Sequence, residues 1–150
     1  DGKLATVITQ NIDCLHEMAG SKNVLKLHGT VDSNTCVICG KKYNMAEFLE
    51  ICETENIPHC SKCGGIIKPD VTLYEEVPDP DTFRKAINEI SKADTLIIGG
   101  TSLIVYPAAS LIHYFQGKNL VLINKSKTEQ DNFANLVIHE SIGEIFKNLK

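Results

Sequence analysis

The sequence lacks any apolar run that approaches the length of a membrane span, and it has no low-complexity tract or long run of charges. Its first residues, Asp1-Gly2-Lys3, lack the basic and apolar regions of a secretory signal peptide. Excess positive charge is missing too, since the formal net charge is −4. These absences argue against a membrane partner and against electrostatic binding to nucleic acid. The chain is therefore predicted to be cytoplasmic and to form one ordinary domain with a small insert.

Glycine-rich loops of the Gly-x-Gly-x-x-Gly or Walker type, which mark many nucleotide sites, are also absent from the sequence. A weaker signal is the loop Gly99-Gly100-Thr101-Ser102, between a predicted strand and a predicted helix. Its backbone amides and hydroxyls suit a phosphate or a ribose, but many α/β turns look the same. Asn124, after the next strand, can bind ribose hydroxyls or can simply tolerate a turn. The residues by themselves do not decide whether the chain has a nucleotide-binding site.

Two Cys-x-x-Cys pairs, Cys36/Cys39 and Cys60/Cys63, are present with twenty residues between them. Each pair points two thiolates at one cation, and two pairs at this spacing complete a tetrahedral structural zinc site. Such a site has no open position for chemistry. Two disulfides, or thiols paired by chance, are the alternative interpretation. Six cysteines with four in metal spacing indicate a reducing compartment rather than a disulfide scaffold.

Short apolar segments alternate with helical patterns, which predicts an α/β fold with a parallel, doubly wound sheet. The sequence places strands of this sheet at 4–9, 24–28, 95–98, 120–123 and 136–139. Those at 4–9, 95–98 and 120–123 are almost continuously apolar and are predicted to be buried. Shorter extended pieces surround the cysteine pairs, at 31–35, 41–43 and 71–74.

Helix boundaries carry local signals. Asn44 can cap a helix from Met45 to about Thr54. On that helix Phe48 and Cys52 share one apolar face with Leu49, so Cys52 is predicted to be buried. Later helices are signalled by Asp79-Pro80-Asp81, by Pro107 with an end at Gly117, and by a capping box of Ser141 and Glu144.

Polar side chains follow the first two predicted strands. Gln10-Asn11-Ile12-Asp13 comes just past the carboxyl end of the first strand, where ligands bind in open α/β sheets, although Asn11 and Asp13 can also be turn residues. His28 ends the second strand and is one of five histidines. A lone histidine is more often structural or superficial than catalytic, and the others keep that interpretation: His16, His59, His113 and His139.

The order of these motifs is more specific than any one of them. In sequence they are Thr9-Gln10-Asn11-Ile12-Asp13 with Leu15-His16, Lys26-Leu27-His28-Gly29, the two cysteine pairs, Lys68-Pro69-Asp70-Val71 and Gly100-Thr101-Ser102-Leu103. This order closely resembles the sirtuin family of NAD-dependent protein deacylases, over essentially the whole chain. The resemblance implies a Rossmann-like NAD-binding domain at 1–30 and 69–150, and a zinc-binding small domain at 31–68. NAD and an acyl-lysine protein or peptide would meet in the cleft between the two domains.

The resemblance also implies individual roles. His28 matches the catalytic histidine, which acts as a general base toward a hydroxyl of the nicotinamide ribose. Nicotinamide would leave NAD, and the acyl group would pass to ADP-ribose. The implied NAD contacts are Gln10, Asn11, Ile12, Asp13, Gly100, Thr101, Ser102, Asn124, Lys125, Ser141 and Ile142. Val71, Leu73 and Tyr74 match the segment that pairs with the substrate backbone, and zinc would be held by Cys36, Cys39, Cys60 and Cys63.

The sequence departs from the family pattern at three places. Glu75 stands where glycine is usual after an aromatic residue, which can alter the peptide groove or the acyl preference. Cys14 replaces a usual glycine near the nicotinamide pocket. The family's first strand and Gly-Ala-Gly-type phosphate loop do not precede Asp1, which predicts a truncated catalytic domain. An exposed sheet edge would follow, so self-association or a covering partner is a hypothesis that light scattering can test.

Two other functions remain open at this point. One is a non-catalytic, zinc-stapled module that keeps the peptide groove but holds NAD poorly. The other is mono-ADP-ribosyl transfer, which some members of the family show. Labelled ADP-ribose appearing on protein, instead of on the acyl group, distinguishes this second alternative from deacylation.

Overall fold

The computed structural model describes residues 2–149 and divides the chain into two compact units, Asp1–Phe83 and Arg84–Lys150. The first unit contains a two-stranded parallel sheet and a three-stranded antiparallel sheet, and the second contains a three-stranded parallel sheet. The predicted α/β class with parallel strands is confirmed. The predicted domain boundaries at 30/31 and 68/69 stay a prediction.

The parallel sheet of the first unit joins β1 (Val7–Thr9) to β2 (Val24–Lys26), with the short helix α1 (Leu15–Met18) between them. The predicted strand at 4–9 is too long and its predicted burial is wrong. Leu4 is 73% exposed, and only Thr9 within β1 is fully buried. The physical reason is that β1 pairs with β2 alone among the residues that the structure describes.

The antiparallel sheet has the order β4-β3-β5, formed by β3 (Gly29–Cys36), β4 (Lys42–Asn44) and β5 (Ile67–Val71). It confirms the short strands predicted around the first cysteine pair. A Cβ atom added at Gly29 would lie 2.0 Å from the carbonyl oxygen of Asp70, and Gly29 has φ +77°. Only glycine fits where β3 and β5 approach this closely.

Helix α2 (Met45–Thr54) has the predicted bounds and begins with a full capping box. The Asn44 side chain accepts from the Glu47 amide at 2.9 Å, and the Glu47 carboxylate accepts from the Asn44 amide at 2.8 Å. Phe48 and Ile51 pack against a buried cluster. The predicted burial of Cys52 is wrong, since Cys52 is exposed. Residues 49 and 52 are each rotated by about 100° from the packed positions before them, because a helix has 3.6 residues per turn.

Helix α3 (Pro80–Lys92) starts at the predicted proline, and the Thr82 amide donates to the Asp79 carboxylate at 3.0 Å. Ala86 and Ile90 of the predicted apolar stripe are buried. The helix therefore follows its local signals closely.

The parallel sheet of the second unit has the order β6-β7-β8, formed by β6 (Thr95–Gly99), β7 (Asn119–Ile123) and β8 (Leu136–Ile138). Central strand β7 is buried as predicted, with Leu122 only 1% exposed. The predicted burial of β6 is wrong, since Ile97 is 48% exposed. Within residues 2–149, β6 pairs on one side only, which leaves part of it in contact with solvent.

Two predictions about helix ends in this unit are corrected. The helix expected between Pro107 and Gly117 is a 3₁₀ helix, Ala108–Tyr114, with Pro107 preceding it and a cis peptide bond between Tyr106 and Pro107. Helix α4 (Ile142–Asn148) begins after Ser141, but the Ser141 side chain makes no capping hydrogen bond, so the predicted capping box does not form. A second short 3₁₀ helix spans Asp131–Phe133.

Across the described range 2–149, none of the helices has both the length and the apolar content that crossing a lipid bilayer requires.

Candidate active site

The four predicted metal ligands meet in the first unit. Their Sγ atoms all lie within 4.8 Å of one another, with 3.5 Å between Cys36 and Cys63 and 3.6 Å between Cys39 and Cys60. A disulfide needs about 2.05 Å, and all four cysteines are free, so the disulfide alternative does not apply. Ligands about 2.3 Å from a tetrahedral zinc ion lie about 3.8 Å apart. The cluster therefore has the donor set and the dimensions of a structural zinc site.

Neighbouring groups stabilise the thiolate form of Cys60, whereas at Cys63 the Gly65 amide lowers the pKa but the thiols of Cys39, Cys36 and Cys60 outweigh it and raise the pKa to about 12. The hydroxyl of buried Tyr43 donates to Cys60 Sγ at 3.1 Å, and this hydrogen bond lowers the pKa of Cys60 to about 6. The Lys62 amide also donates to Cys60 Sγ, at 3.4 Å. His59, which precedes Cys60, pairs with the Glu55 carboxylate at 2.8 Å and lies outside the thiol cluster. Thiolates are the form that binds a metal, so these donors favour metal retention.

His28 lies in the turn between β2 and β3, directly before Gly29, so the predicted strand at 24–28 is too long. The histidine is held from two sides. Its Nδ1 atom is 3.2 Å from the carbonyl oxygen of Gln10, and its own carbonyl accepts from the Thr72 amide at 2.9 Å. A carbonyl oxygen can only accept, so the contact with Gln10 requires the proton on Nδ1. In the neutral ring Nε2 then carries the lone pair. This is the tautomer that a general base acting through Nε2 needs.

The residues predicted around nicotinamide lie in the same unit as His28, between β1 and α1. The Asn11 amide donates to the Thr9 hydroxyl at 3.0 Å, and the Asp13 carboxylate accepts from the Leu15 amide at 3.0 Å. The carbonyl of Ile12 accepts from the Val31 amide at 3.1 Å. Asp13 therefore has the turn role that the sequence also allowed, and it fixes the start of α1.

A polar cluster beside this turn was not predicted. Lys26 Nζ lies 2.9 Å from Glu17 Oε1, 3.3 Å from Cys14 Sγ and 3.3 Å from Thr30 Oγ1. Burial opposes the charge of Lys26, but the hydrogen bonds to Glu17 and Cys14 more than offset it and raise the pKa of Lys26. The one available signal was the alternation of the predicted strand 24–28, which puts Lys26 on the side opposite to Leu25 and Leu27.

The predicted substrate segment begins as expected and then turns. Val71 ends β5 opposite Gly29, but Leu73 to Glu76 form a turn in which the Glu76 amide donates to the Leu73 carbonyl at 3.1 Å. The prediction of an extended piece through Tyr74 is therefore wrong, and Leu73 and Tyr74 are 54% and 99% exposed. Glu75 has φ +70°, a left-handed conformation that glycine adopts readily and that a glutamate adopts only with strain.

Lys68 and Glu76 close this turn. Lys68 Nζ donates to the Val71 carbonyl at 2.8 Å and lies 3.0 Å from Glu76 Oε2. The same carboxylate oxygen accepts from the Leu73 amide at 2.9 Å, and these contacts lower the pKa of Glu76, the Leu73 amide most. Sequence reasoning missed this pair because the two residues are eight positions apart in an irregular segment.

The remaining predicted cofactor residues lie in the second unit, after its three strands. Gly100 follows β6, Asn124 follows β7, and Ser141 with Ile142 follows β8. The Gly100 amide donates to the Ile123 carbonyl at 3.1 Å, and the Asn124 amide donates to the Ile138 carbonyl at 3.0 Å. Carboxyl ends of parallel strands share one sheet edge, so the unit brings these residues together where α/β sheets bind ligands.

Hydrogen bonds within the chain fix the orientation of two side chains at this edge, Asn124 and Thr101. Asn124 Nδ2 donates to the Ser126 carbonyl at 2.9 Å, which is the turn role that the sequence left open. Thr101 Oγ1 accepts from the Leu103 amide at 3.3 Å, while Ser102 and Lys125 are exposed. A Cβ atom at Gly99 would lie 2.2 Å from Ile142 Cδ1, so α4 packs directly on the end of β6.

Comparison with known proteins gives a consistent result. Residues 1–107 match the model of the Sir2 family. The NAD-dependent protein deacetylase of Clostridium perfringens is 61% identical over 145 residues, which are 96% of this chain and 58% of that protein. The NAD-dependent protein deacetylase of Clostridium acetobutylicum is 55% identical over 148 residues, 99% of this chain and 60% of that protein. The chain thus spans about three fifths of these relatives.

Solved structures show the same likeness. A structure described as "Sir2-p53 peptide-NAD+" matches with a TM-score of 0.91 and 39% identity, covering 96% of this chain and 61% of that chain. Another, described as "Sir2 bound to acetylated peptide", matches with a TM-score of 0.91 and 38% identity over the same shares of the two chains.

Proposed function

Because the chain belongs to the Sir2 family, we propose that it acts as an NAD-dependent protein lysine deacylase, which cleaves nicotinamide from NAD and transfers the acyl group to ADP-ribose. The family membership confirms the sirtuin resemblance that the order of the motifs indicated. The curated relatives are named NAD-dependent protein deacetylases, and the structural neighbours include complexes with NAD and with acetylated peptide.

The observation that carries the proposal is the tautomer of His28. The Gln10 carbonyl, 3.2 Å from Nδ1, keeps the proton on that nitrogen and leaves Nε2 to accept one. NAD, when bound, supplies the ribosyl carbon that accepts the acyl oxygen as nicotinamide departs. His28 then takes the proton of a ribose hydroxyl through Nε2, and the Gln10 carbonyl stabilises the resulting imidazolium. A proton transfer of this kind is typically worth about 10²- to 10⁴-fold in rate.

The cofactor contacts are proposed in two groups. Gln10, Asn11, Ile12 and Asp13 would surround nicotinamide and its ribose, and their place just after β1 in the same unit as His28 supports this. The second group would contact the adenosine half, and its members follow the three strands of the second unit: Gly100, Thr101, Ser102, Asn124, Lys125, Ser141 and Ile142. The exposed Ser102 hydroxyl, backbone amides and the exposed Lys125 suit ribose and phosphate oxygens.

The substrate is proposed to be an acylated lysine in an extended peptide. Val71 ends β5, which lies at an edge of the antiparallel sheet in the described chain, and recognition by strand addition tolerates many sequences. Leu73 and Tyr74, which are exposed, would contact the peptide or its acyl-lysine from the turn that follows. Because the chain turns at Leu73, backbone pairing is proposed for Val71 and Thr72 only.

Zinc is proposed to hold the antiparallel sheet together through Cys36, Cys39, Cys60 and Cys63. The four thiolates would occupy every coordination position, so the metal would take no part in the reaction. Keeping four thiols reduced requires a reducing compartment, which supports the cytoplasm as the location.

Nicotinamide release from NAD, with and without an acetyl-lysine peptide, tests the proposal. We expect peptide-dependent release that falls by at least about 100-fold in His28→Ala, because the general base is lost. His113→Ala is the matched control, since His113 is exposed and lies in the other unit. Activity of His28→Ala equal to that of the control would overturn the assignment of His28.

Two other outcomes separate the competing functions. Peptide binding without nicotinamide release, including in a chain extended to the full length of the relatives, would favour the binding module. Release accompanied by labelled ADP-ribose on protein, with no acylated ADP-ribose formed, would favour ADP-ribosyl transfer.

A further inference from the structure

His139 lies just after β8, and its ring bridges two acceptors in the second unit. The Nδ1 atom is 3.3 Å from the carbonyl oxygen of Asn124, and the Nε2 atom is 3.2 Å from Asp131 Oδ2. The imidazole remains 45% exposed, while the Asp131 side chain is only 9% exposed. One ring therefore connects the two ends of the segment 124–131, which we name the ribose turn.

The bridge needs a protonated ring. The Asn124 carbonyl can only accept, so the single N–H of a neutral imidazole lies on Nδ1 and leaves the Nε2 lone pair beside the Asp131 carboxylate. Only the imidazolium forms an ion pair with Asp131 while it donates to Asn124. The charge also matches the site, because the Thr128 hydroxyl and amide, followed by His139 itself, hold the pKa of Asp131 below its ordinary value. Asp131 therefore stays ionised throughout the range in which imidazole titrates.

Three other charged residues lie on the elements next to the bridge. Lys127, on the ribose turn, also acts on the Asp131 carboxylate. Glu140 follows His139 and Lys125 follows Asn124, and both side chains are exposed. Exposed charges are screened by solvent, so the direct contact with Asp131 dominates the environment of the ring.

The rest of the ribose turn is built on the same two anchor residues. The Asn124 amide donates to the Ile138 carbonyl at 3.0 Å, and its side chain donates to the Ser126 carbonyl at 2.9 Å. At the other end, Asp131 accepts from the Thr128 amide at 3.0 Å and from the Thr128 hydroxyl at 2.6 Å. The His139 ring contacts both Asn124 and Asp131, so it links the first residue of the turn to the last.

We propose that His139 is a positioning residue for nucleotide binding, whose imidazolium closes the ribose turn and so orders Asn124 and Lys125 for the adenosine ribose. The inference rests on the proposed function for the contact of Asn124 and Lys125 with that ribose. The closure of the turn by the protonated ring does not depend on it.

The sign of the pH effect follows from the geometry. At low pH the ring donates to Asn124 and pairs with Asp131, and the turn is closed. As pH rises through the range of about 5 to 8 in which an imidazole ordinarily loses its charge, the ion pair with Asp131 is lost. A partly exposed ion pair corresponds to at most about 5-fold in an equilibrium constant. NAD should therefore bind up to about 5-fold more weakly at pH 8.5 than at pH 5.5.

Two measurements on the chain test this inference. Nuclear magnetic resonance follows the His139 ring together with the amide signals and hydrogen exchange of Asn124 and Thr128 as a function of pH. Calorimetry measures NAD affinity at pH 5.5 and pH 8.5. His139→Gln, which is neutral at every pH, should flatten both profiles, and His113→Gln, at an exposed histidine of the same unit, should keep them.

The outcomes separate this inference from the proposed function. Turn amides that do not follow the titration of His139, or a His139→Gln variant with an unchanged profile, would overturn the closure. A turn that titrates while NAD affinity stays constant would overturn the positioning role. If NAD does not bind at either pH, the proposed cofactor site fails, and the amide profile still decides whether His139 closes the turn.

Discussion

The antiparallel sheet with its cysteine cluster, residues 29–71, and the parallel sheet, residues 95–138, are stabilised by different contacts. In the first, the buried cluster is small and contains two of the metal ligands, Cys36 and Cys60, with Tyr43 and Ile67. In the second, buried aliphatic residues are contributed by central strand β7 and by the neighbouring 3₁₀ helix, namely Leu111, Ile112, Leu120, Leu122 and Ile123. Folding of the first region should depend on a metal, and folding of the second on apolar burial.

The largest expected effect is loss of the metal from the cysteine region. Cys60→Ala leaves three ligands, and binding of a structural zinc ion contributes about 10–16 kcal/mol of apparent free energy in zinc-finger peptides. We expect less than one zinc per chain and unfolding of residues 29–71, measured by metal analysis and circular dichroism. Cys52→Ala is the control, because Cys52 is exposed and outside the cluster. A Cys60→Ala protein with unchanged zinc content and melting temperature would contradict the zinc assignment.

The second prediction concerns the parallel sheet, whose folding should depend on apolar burial. Leu122 is 1% exposed in β7, and a buried leucine-to-alanine change costs about 2–5 kcal/mol because it leaves a cavity. Leu122→Ala should lower the stability of the parallel sheet by this amount, with or without a zinc chelator. The chelator should instead affect hydrogen exchange of residues 29–71 alone. Equal sensitivity of both sheets to the chelator would mean that the two regions do not differ as argued.

Sequence reasoning succeeded where a motif specifies its own partners. Each Cys-x-x-Cys pair presents two ligands to one cation, so the spacing predicted the thiol cluster although Cys36 and Cys63 lie 27 positions apart. Asn44 predicted the start of α2, because a cap is completed within a few residues. It failed where no motif specifies the neighbour. The exposure of Ile97 depends on which strands flank β6, and the Cys14–Lys26 contact joins residues twelve positions apart. The Ser141 capping box failed because the pattern permits the contact without requiring it.

A smaller effect concerns pH and the antiparallel sheet. Burial alone would raise the pKa of Asp70, but hydrogen bonds from Lys42, Ser33 and Thr35 more than offset it, so the pKa is lowered. A carboxylate with a lowered folded-state pKa stabilises the fold above its unfolded value of about 3.9, and this stability is lost as pH falls through the folded value.

Asp70→Asn tests that contribution. We expect a loss of about 1–2 kcal/mol at pH 7 that shrinks below about pH 4, because the wild-type carboxyl is then protonated as well. Chemical denaturation at pH 7 and pH 3 measures the difference. Asp32→Asn is the control, since Asp32 lies on the same strand as Ser33 and is exposed. A difference between Asp70→Asn and wild type that is the same at both pH values would contradict the role of the charge.

The smallest expected effect is that of Glu75→Gly in the first unit, which is compared with Leu103→Gly in the second. Glu75 and Leu103 are the two non-glycine residues with positive φ in the described chain, at +70° and +56°, and each lies in a segment proposed to bind a ligand. Glu75 is exposed, so Glu75→Gly removes only the backbone strain and should stabilise the protein by about 1 kcal/mol. Leu103 is 8% exposed, so Leu103→Gly should destabilise it, because lost burial outweighs the relief of strain. Thermal melting of both variants decides this, and destabilisation by Glu75→Gly would mean that the Glu75 side chain supports the turn closed by Lys68 and Glu76.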